Sequence, residues 1–424
     1  MELRVSVEIN GEQNTVGHIF GNSYTDAVFQ YERGYMDTPG VKPVSLSLPF
    51  RKEAFTPDET RRYFEGLLPE GFTKKTVATW LHSSEEDYIS ILHGLGRECI
   101  GAIRITDSGD ESDMSYGRLS LEDVSRLAAE GAEKSAELVV ESHLSLAGAT
   151  GKVGLYYSSG ANSWYLPKGL APSTHIVKQS HVRLKEIVLN EQLSLMTARK
   201  CGLQTAGSFI INTGHGHDNE ILLASERYDR NMSQSVKSAG GLPVPLRLHQ
   251  EDFAQALGIS SADKYEKPGE KHMLKAFELL RKYSSNPVRD RIQLWNIIVF
   301  NCLIGNTDGH LKNISLLYSD DMKKIGLAPA YDMISTVVYP QSTRNMAFSV
   351  GGVYSIDKIS ENVLKNAASE VGLGEKTAMK YYRDMADKFE GALKDSALQL
   401  REQGFSGAQK LCDTILNNGI YKKL

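Results

Sequence analysis

The stretch at positions 306–313 reads NTDGHLKN, and the pair Tyr331-Asp332 follows it along the chain. Asp308 and Asn313 are five positions apart, and Asp332 comes 19 positions after Asn313. Phosphoryl transfer needs a carboxylate that orients the attacking hydroxyl and oxygen ligands that hold magnesium on the phosphates; protein kinases meet these needs with an Asp, a later Asn and a second Asp. Each residue alone is commonly a turn, cap or surface residue. The three in this order indicate a kinase site.

Upstream of this stretch, a lysine lies in a segment that is typical of a buried strand. The segment 174–178 reads THIVK, and its β-branched residues predict a strand that carries Lys178. A buried lysine is costly unless an anion pairs with it, and an ATP phosphate is a suitable anion. Glu191, on the helix predicted next, is placed to orient such a lysine. A charge on an edge strand is the alternative for Lys178.

A third candidate segment is small and glycine-containing. Positions 145–152 read SLAGATGK, and the backbone N–H groups of such a segment can approach phosphate oxygens closely. The Walker A pattern fails here, because Leu146 stands where its first Gly should be and Val153 follows Lys152. The sequence therefore excludes a P-loop NTPase.

Working outward, the hydrophobic pattern changes along the chain. Positions 3–10 alternate like a strand before the turn Asn10-Gly11, and a second alternation spans 44–50. Helical periodicity follows at 58–95, and the polar stretch 108–119 is predicted to be a linker. The next strands are predicted at SHLSLAG, KVGLYYS, SWYLPKG and THIVKQS, before a helix at 184–201 and a hairpin of FIINT with ILLASERYD. Long helices are predicted at 250–258, 271–284, 288–305, 359–371 and 376–403.

This order predicts an α+β fold in three parts: 1–107 as a mixed N-terminal subdomain, 108–228 as a β-rich lobe and 229–424 as a helical lobe. The 424 residues are 41% hydrophobic and 24% charged, which excludes a disordered chain or a small disulfide scaffold. The net charge is -4, so contact with DNA would need a local basic patch or a basic partner.

The four cysteines, at positions 99, 201, 302 and 412, are too scattered for a compact zinc site and are predicted to be buried free thiols. The N-terminus lacks a signal-peptide pattern, and no run of 18 apolar residues occurs. We expect a cytoplasmic protein.

The ordered motifs resemble those of the HipA family of bacterial serine/threonine kinases, the toxins of type II toxin–antitoxin pairs. The resemblance covers nearly the whole chain, and its most specific blocks are SLAGATGK, YLPKG with STHIVK, ASERYDR, HQEDFAQALG, NTDGHLKN and PAYDMIS. It implies a two-lobed protein-kinase-like fold with an additional N-terminal subdomain and a helical C-terminal lobe. It also implies ATP and Mg²⁺ as cofactors.

Carried onto this sequence, the resemblance makes Asp308 the catalytic base and makes Asn313 and Asp332 the magnesium ligands. Lys178 would contact ATP phosphates. Glu226, Arg227 and Tyr228 would bind the nucleotide, with Glu226 and Tyr228 forming the hinge that reads adenine. His310 and Lys312, with Tyr331, would complete the nucleotide site. The phosphate loop would consist of Ala147, Gly148, Ala149, Thr150, Gly151 and Lys152; it reads AGATGK where the family often has AGAQEK.

Ser145 matches the serine that the family autophosphorylates to silence the kinase. The resemblance further implies an aminoacyl-tRNA synthetase as substrate, typically the glutamate enzyme, whose phosphorylation halts translation and arrests growth. It implies a helix-turn-helix antitoxin as partner, with operator DNA bound mainly through that antitoxin. Two alternatives stay open: a corepressor that binds the antitoxin on DNA with little kinase activity, and a kinase of the same fold with another protein substrate.

Overall fold

The computed structural model describes residues 2–107, 113–143, 145–146, 151–180, 184–235 and 237–423. The strands among them are β1 (Glu2–Ile9), β2 (Glu12–Phe20), β3 (Val28–Tyr31), β4 (Ile103–Thr106), β5 (Met114–Arg118), β6 (Lys152–Ser158), β7 (Ser163–Gly169), β8 (His175–Gln179), β9 (Ser208–Asn212), β10 (Ile221–Glu226), β11 (Arg230–Asn231), β12 (Lys237–Ala239), β13 (Leu242–Val244), β14 (Leu246–Arg247), β15 (Gln250–Asp252), β16 (Ser315–Tyr318), β17 (Ile325–Leu327), β18 (Asn345–Val350) and β19 (Val353–Ser355). The helices are α1 (Arg33–Met36), α2 (Pro57–Phe64), α3 (Gly71–Trp80), α4 (Tyr88–Leu95), α5 (Leu121–Glu130), α6 (Ala132–Ser142), α7 (Ile187–Lys200), α8 (Phe253–Ala256), α9 (His272–Tyr283), α10 (Pro287–Ile304), α11 (Glu361–Glu370), α12 (Glu375–Glu402) and α13 (Gly407–Asn417). This mixture confirms the predicted α+β class.

The chain packs into two compact units. Unit 1 consists of Met1–His181, Ala224–Ser261 and Leu316–Ile325, and unit 2 consists of Val182–Leu223, Ala262–Ser315 and Gly326–Leu424. These limits do not follow the three parts that the sequence suggests, because the first part and most of the second lie together in unit 1. The three-part division stays a prediction.

Two sheets form the frame of unit 1. The first has the strand order β3-β2-β1-β4, and its β1–β2 hairpin turns at Asn10 and Gly11, whose φ angles are 51° and 83°. Positive φ at both turn residues is the conformation that an Asn-Gly hairpin turn requires, so this prediction is confirmed. In the second sheet, β5, β7, β6 and β8 follow one another in antiparallel pairs.

Unit 2 is mainly helical. Its helix α12 packs against α7, α10 and α13, and α10 also packs against α9. Trp295 lies fully buried on α10, and its indole N–H donates to the carbonyl of Ala378 at 3.0 Å. A buried indole needs such an acceptor, and this bond helps fix α12 against α10.

Segment 44–50 is not a strand, although its alternation is typical of one. Val44 and Leu48 are buried, but the backbone runs through turns. The hydroxyl of Ser45 and the backbone N–H of Leu46 donate to the carboxylate of Glu251, at 2.6 and 3.1 Å. The polar groups of this segment therefore bind a side chain and not a neighbouring strand, which the local pattern does not reveal.

Three further predictions differ from the structure. Part of the predicted linker 108–119 is strand β5, which pairs with β7, while residues 108–112 lie outside the described residues. Where a strand was predicted at 142–148, the described residues form no strand. The stretch 250–258 divides into β15 and the short helix α8. Helices α5, α6 and α13 had not been predicted; α5 does carry a sequence signal, the capping box of Ser120 with Asp123.

All four cysteines are buried and free, as predicted. Within the described ranges, no helix combines the length and apolar character that crossing a membrane requires.

Candidate active site

Helix α10 delivers the chain into the NTDGHLKN loop. It starts with Pro287 at its first position and ends at Ile304, and the capping residue Gly305 has a φ of 78°. A side chain at Gly305 would be strained at this angle, and its Cβ would clash with Val337. The glycine therefore lets the chain leave α10 in a left-handed turn against a close-packed neighbour.

The first residues of the loop are anchored by hydrogen bonds to side chains and to backbone carbonyls of unit 2. Asn306 donates through its backbone N–H to the carbonyl of Asn301 at 2.8 Å and through Nδ2 to Asn301 Oδ1 at 3.0 Å. The backbone N–H of Thr307 donates to Thr336 Oγ1 at 2.8 Å, and its hydroxyl donates to the carbonyl of Thr343 at 3.0 Å. All four polar groups are thus satisfied in the core, so the residue that follows is held in a defined place.

Asp308 and Asn313 are joined directly. The backbone N–H of Asp308 donates to Asn306 Oδ1 at 3.0 Å, and Asn313 Nδ2 donates to the carbonyl oxygen of Asp308 at 2.9 Å. That bond uses the amide nitrogen of Asn313, so its Oδ1 is the atom suited to bind a cation. Asn313 Oδ1 with the carboxylate of Asp332 would be the hard oxygen donors that Mg²⁺ prefers.

The loop that carries Tyr331 and Asp332 lies beside the NTDGHLKN loop in unit 2. The hydroxyl of Tyr331 donates to the carbonyl of Lys312 at 2.9 Å and lies 2.6 Å from the hydroxyl of Ser315. Asp332 follows with a φ of 55°, a left-handed conformation that is uncommon for a residue with a side chain. Backbone strain of this kind concentrates at functional sites. Unit 2 therefore brings the predicted residues of positions 308–313 and 331–332 into one region, and His310 and Lys312 are buried there.

In the described part of the chain, no group of three or more His, Cys, Asp or Glu side chains is placed to hold a metal ion. Mg²⁺ commonly keeps waters and phosphate oxygens among its ligands, and the assignment of Asn313 and Asp332 as its protein ligands stays a prediction.

Lys178 and Lys152 face each other across the sheet of unit 1. They are directly opposite partners in the antiparallel pair of β6 and β8, and both side chains are half-buried. Like charges directly opposite each other in a sheet repel, and the predicted contact of these lysines with ATP phosphates stays a prediction. The sequence predicts a buried Lys178, but its side chain is only half-buried. Its pairing with Glu191, which is buried on α7 of unit 2, stays a prediction.

Along the predicted hinge at positions 226–228, side chains alternate between more exposed and buried positions. Glu226 is exposed and Tyr228 is half-buried, with its hydroxyl donating to Gln250 Oε1. The guanidinium of Arg227 is instead buried, where it donates to Glu98 at 3.1 Å and to Asp229 at 2.8 Å. The predicted contact of Arg227 with the nucleotide does not fit its side chain, which is buried and bound to Glu98 and Asp229. The roles of Glu226 and Tyr228 stay predictions.

Ser145 is fully buried in unit 1. Its hydroxyl donates to the carbonyl of Leu67 at 2.7 Å, and its backbone N–H donates to the carbonyl of Glu98 at 2.7 Å. The rest of the predicted phosphate loop, Ala147 to Thr150, lies outside the described residues. Gly151 is buried, and Lys152 begins β6.

Sequence reasoning missed two groups that contact the predicted site residues. The hydroxyl of Tyr265 donates to Asp308 Oδ1 at 2.6 Å across 43 positions of sequence, and no local pattern marks it. Glu98 binds both the backbone of Ser145 and the side chain of Arg227. No sequence motif assigns Glu98 a chemical role.

Two protein-family models match the chain. The HipA N-terminal domain matches residues 7–106, and the HipA-like C-terminal domain matches residues 144–393. Among curated proteins, the putative kinase Y4mE of Sinorhizobium fredii is 32% identical over 368 residues, which are 85% of this chain and 84% of that protein. The serine/threonine-protein kinase toxin HipA of Shewanella oneidensis is 26% identical over 346 residues, 78% of this chain and 75% of that protein.

Among solved structures, the chain resembles HipA of Shewanella oneidensis, determined in complex with HipB and operator DNA. The TM-score is 0.78 at 21% sequence identity, and the match covers 97% of this chain and 96% of that one. At this identity the match shows a shared fold.

Proposed function

The chain belongs to the HipA family, and from this membership we propose that it is a Mg-ATP-dependent serine/threonine-protein kinase and the toxin of a HipBA-type pair. The observation that carries the proposal is the anchored loop that joins Asp308 to Asn313 through a 2.9 Å hydrogen bond. Catalysis of phosphoryl transfer rests almost entirely on positioning and charge stabilisation, and this loop provides positioning.

Within this proposal, the carboxylate of Asp308 accepts the hydrogen bond of a substrate serine or threonine hydroxyl and orients it for attack. Asn313 and Asp332 would hold Mg²⁺, which when bound neutralises charge on the phosphates. Lys178 and Lys152 would contact the phosphates, and Glu226 and Tyr228 would contact the adenine. The predicted nucleotide residues His310, Lys312 and Tyr331 complete the assignment.

Ser145 is the proposed autophosphorylation site. Its hydroxyl is fully buried against the carbonyl of Leu67, so it must leave this pocket to meet a γ-phosphate. A phosphate brings up to about two negative charges, and a buried site that binds a hydroxyl offers no compensation for them. Phosphorylation would therefore keep residue 145 outside the pocket.

For the partner and the substrate, the proposal rests on the family. A relative with the same fold is known in complex with HipB and operator DNA, which supports a helix-turn-helix antitoxin for this chain too. The resemblance implies an aminoacyl-tRNA synthetase as substrate, and the glutamate enzyme is the first to test. The same complex also favours the second candidate function, a corepressor with little kinase activity.

The test is intact-mass analysis and peptide mapping of dephosphorylated protein incubated with Mg-ATP. We expect the wild type to gain one phosphate on Ser145. The variants Asp308→Ala and Asp332→Ala should be slowed by a factor on the order of 100 or more, since each removes a group that acts in the transfer. Chelation of Mg²⁺ with EDTA should have the same effect.

Asp395→Ala is the matched control, because Asp395 is an exposed carboxylate on α12 of the same unit. Full activity in Asp308→Ala would refute the assignment of the base. A wild type that binds the antitoxin but incorporates no phosphate, into itself or into the synthetase, would support the corepressor instead.

A further inference from the structure

Tyr265 is bound to the proposed catalytic base. Its hydroxyl donates to Asp308 Oδ1 at 2.6 Å. Its ring meets the His310 ring edge to face, with 5.3 Å between the centroids. All three residues belong to unit 2, and Tyr265 is 45% exposed. Tyr265 thus lies partly at the surface, with its hydroxyl bound to the carboxylate of the proposed catalytic base.

Glu266, the residue next to Tyr265, is held by several hydrogen bonds. Glu266 donates its backbone N–H to the carbonyl of Ala347 at 2.8 Å. Its Oε1 accepts bonds from the hydroxyls of Ser349 and Tyr354, at 2.7 and 2.6 Å, and its Oε2 accepts from the backbone N–H of His272 at 2.6 Å. Several charge-assisted bonds on one carboxylate fix the loop to strand β18 and helix α9. The backbone next to Tyr265 is therefore fixed by its neighbour.

From these contacts we propose that Tyr265 is a positioning residue for phosphoryl transfer, which acts by fixing the orientation of the Asp308 carboxylate. The inference rests on the proposed function, in which Asp308 orients the substrate hydroxyl. A carboxylate can rotate about its Cβ–Cγ bond and exchange its two oxygens. A phenol bound to one oxygen restricts that rotation, so the other oxygen keeps one direction.

A gating role would have the opposite consequence. If Tyr265 occupied the place of the substrate hydroxyl and had to be displaced, loss of its hydroxyl would raise the rate. The anchoring of Glu266 favours positioning, because a group that must move away in each cycle gains nothing from a rigid neighbour. The direction of the rate change separates the two roles.

The experiment compares initial rates of phosphate incorporation, by intact mass, over a range of Mg-ATP concentrations. Tyr265→Phe removes the hydroxyl and keeps the ring. We expect kcat to fall about tenfold while the KM for ATP changes less than twofold, because misplacement of the base affects the transfer step and not nucleotide binding. The melting temperature should not change, since the side chain is partly exposed.

Two further variants test whether a change in kcat comes from the contact between Tyr265 and Asp308. Glu266→Gln weakens the anchor while leaving the Tyr265 hydroxyl present, and it should lower kcat in the same direction by a smaller factor. Tyr283→Phe is the matched control, because Tyr283 is a partly exposed tyrosine at the end of α9. It loses the same atom in the same unit, and its kinetics should equal those of the wild type.

The outcomes separate this inference from the proposed function. An inactive Asp308→Ala with an unchanged or faster Tyr265→Phe overturns the role of Tyr265 and leaves the kinase intact. Equal rates for wild type and Asp308→Ala, or no incorporation by the wild type, overturn the proposed function and the inference with it. A rise in the KM for ATP with constant kcat would also overturn the inference.

Discussion

Glu251 is a fully buried carboxylate in unit 1 that binds three donors. The hydroxyls of Ser45 and Tyr318 donate to it at 2.6 Å each, and the backbone N–H of Leu46 donates at 3.1 Å. Burial raises the pKa of Glu251 from 4.5 to about 7, despite these donors. The residue lies in the block HQEDFAQALG, so that block has a structural role: it holds segment 44–50.

This pKa predicts a pH dependence of stability. The folded-state pKa lies above the unfolded value, so the folded state binds the proton more tightly. The resulting stabilisation is present below about pH 4.5 and is lost as the pH rises to 7. We expect the wild type to lose up to about 3 kcal/mol relative to Glu251→Gln between pH 5 and pH 8, in urea unfolding.

Other titrating groups contribute equally to the free energy of unfolding of both proteins, so they cancel in the difference between the wild type and Glu251→Gln. His175 and His249, whose pKa values burial lowers to about 4, are examples. Glu53→Gln, in an exposed loop, is the control and should keep the pH dependence of the wild type. An equal stability difference at both pH values would contradict the prediction.

At the scale of an element, the segment that follows strand β10 carries buried charges of both signs. Arg227 and Arg230 donate to Glu98 at 3.1 and 2.9 Å, and Arg227 also binds Asp229. Burial would raise the pKa of Glu98, but the positive charges of Arg227, Arg230 and Arg247 outweigh it and hold the pKa below its ordinary value. Glu98 also accepts from the backbone N–H of Ser173 at 2.8 Å. The motif ASERYDR thus joins the predicted hinge to the N-terminal segment of unit 1.

Glu98→Gln should therefore be strongly destabilising. Loss of one partner of a buried ion pair leaves the other charges uncompensated, at a cost of about 3–5 kcal/mol. Thermal and urea unfolding measure this cost. Glu130→Gln is the control, because the pair of Glu130 with Arg126 on α5 of the same unit is exposed and should cost less than about 1 kcal/mol. Equal stability of the two variants would show that the buried pairs contribute nothing beyond surface pairs.

At the scale of the whole molecule, charge limits what the chain can bind by itself. It carries 48 basic and 52 acidic side chains, a net charge of -4. Proteins bind DNA largely by neutralising its phosphates with Lys and Arg side chains. The DNA affinity that this neutralisation provides falls steeply as the salt concentration rises. A chain with this balance needs a local basic patch or a basic partner to hold DNA at physiological ionic strength, and the proposed function supplies such a partner.

We therefore predict that the purified chain does not shift operator DNA at about 150 mM salt, where exposed charges are screened beyond about 8 Å. Addition of the proposed helix-turn-helix antitoxin should give a complex that contains both proteins. Electrophoretic mobility shift with a scrambled DNA of equal length is the measurement and its control. Sequence-specific binding by the chain alone would contradict this prediction.

Local chemistry made much of the fold predictable. The Asn10-Gly11 hairpin, strands β6, β7 and β8, and helices α7, α9, α10, α11 and α12 follow from periodicity and turn residues that act over a few positions. Segment 44–50 and strand β5 could not be predicted, because the partners that decide their conformation, Glu251 and β7, lie far away in sequence.

The same division applies to the candidate site. Sequence alone determined the family and singled out Asp308, Asn313 and Asp332, because kinase chemistry requires those side chains in that order. Only the tertiary structure placed Tyr265 on Asp308, faced Lys152 with Lys178, and buried Ser145 and Arg227. The physical reason is that hydrogen bonds and burial depend on distance in space, and a chain of 424 residues folds distant positions together in ways that no local pattern encodes.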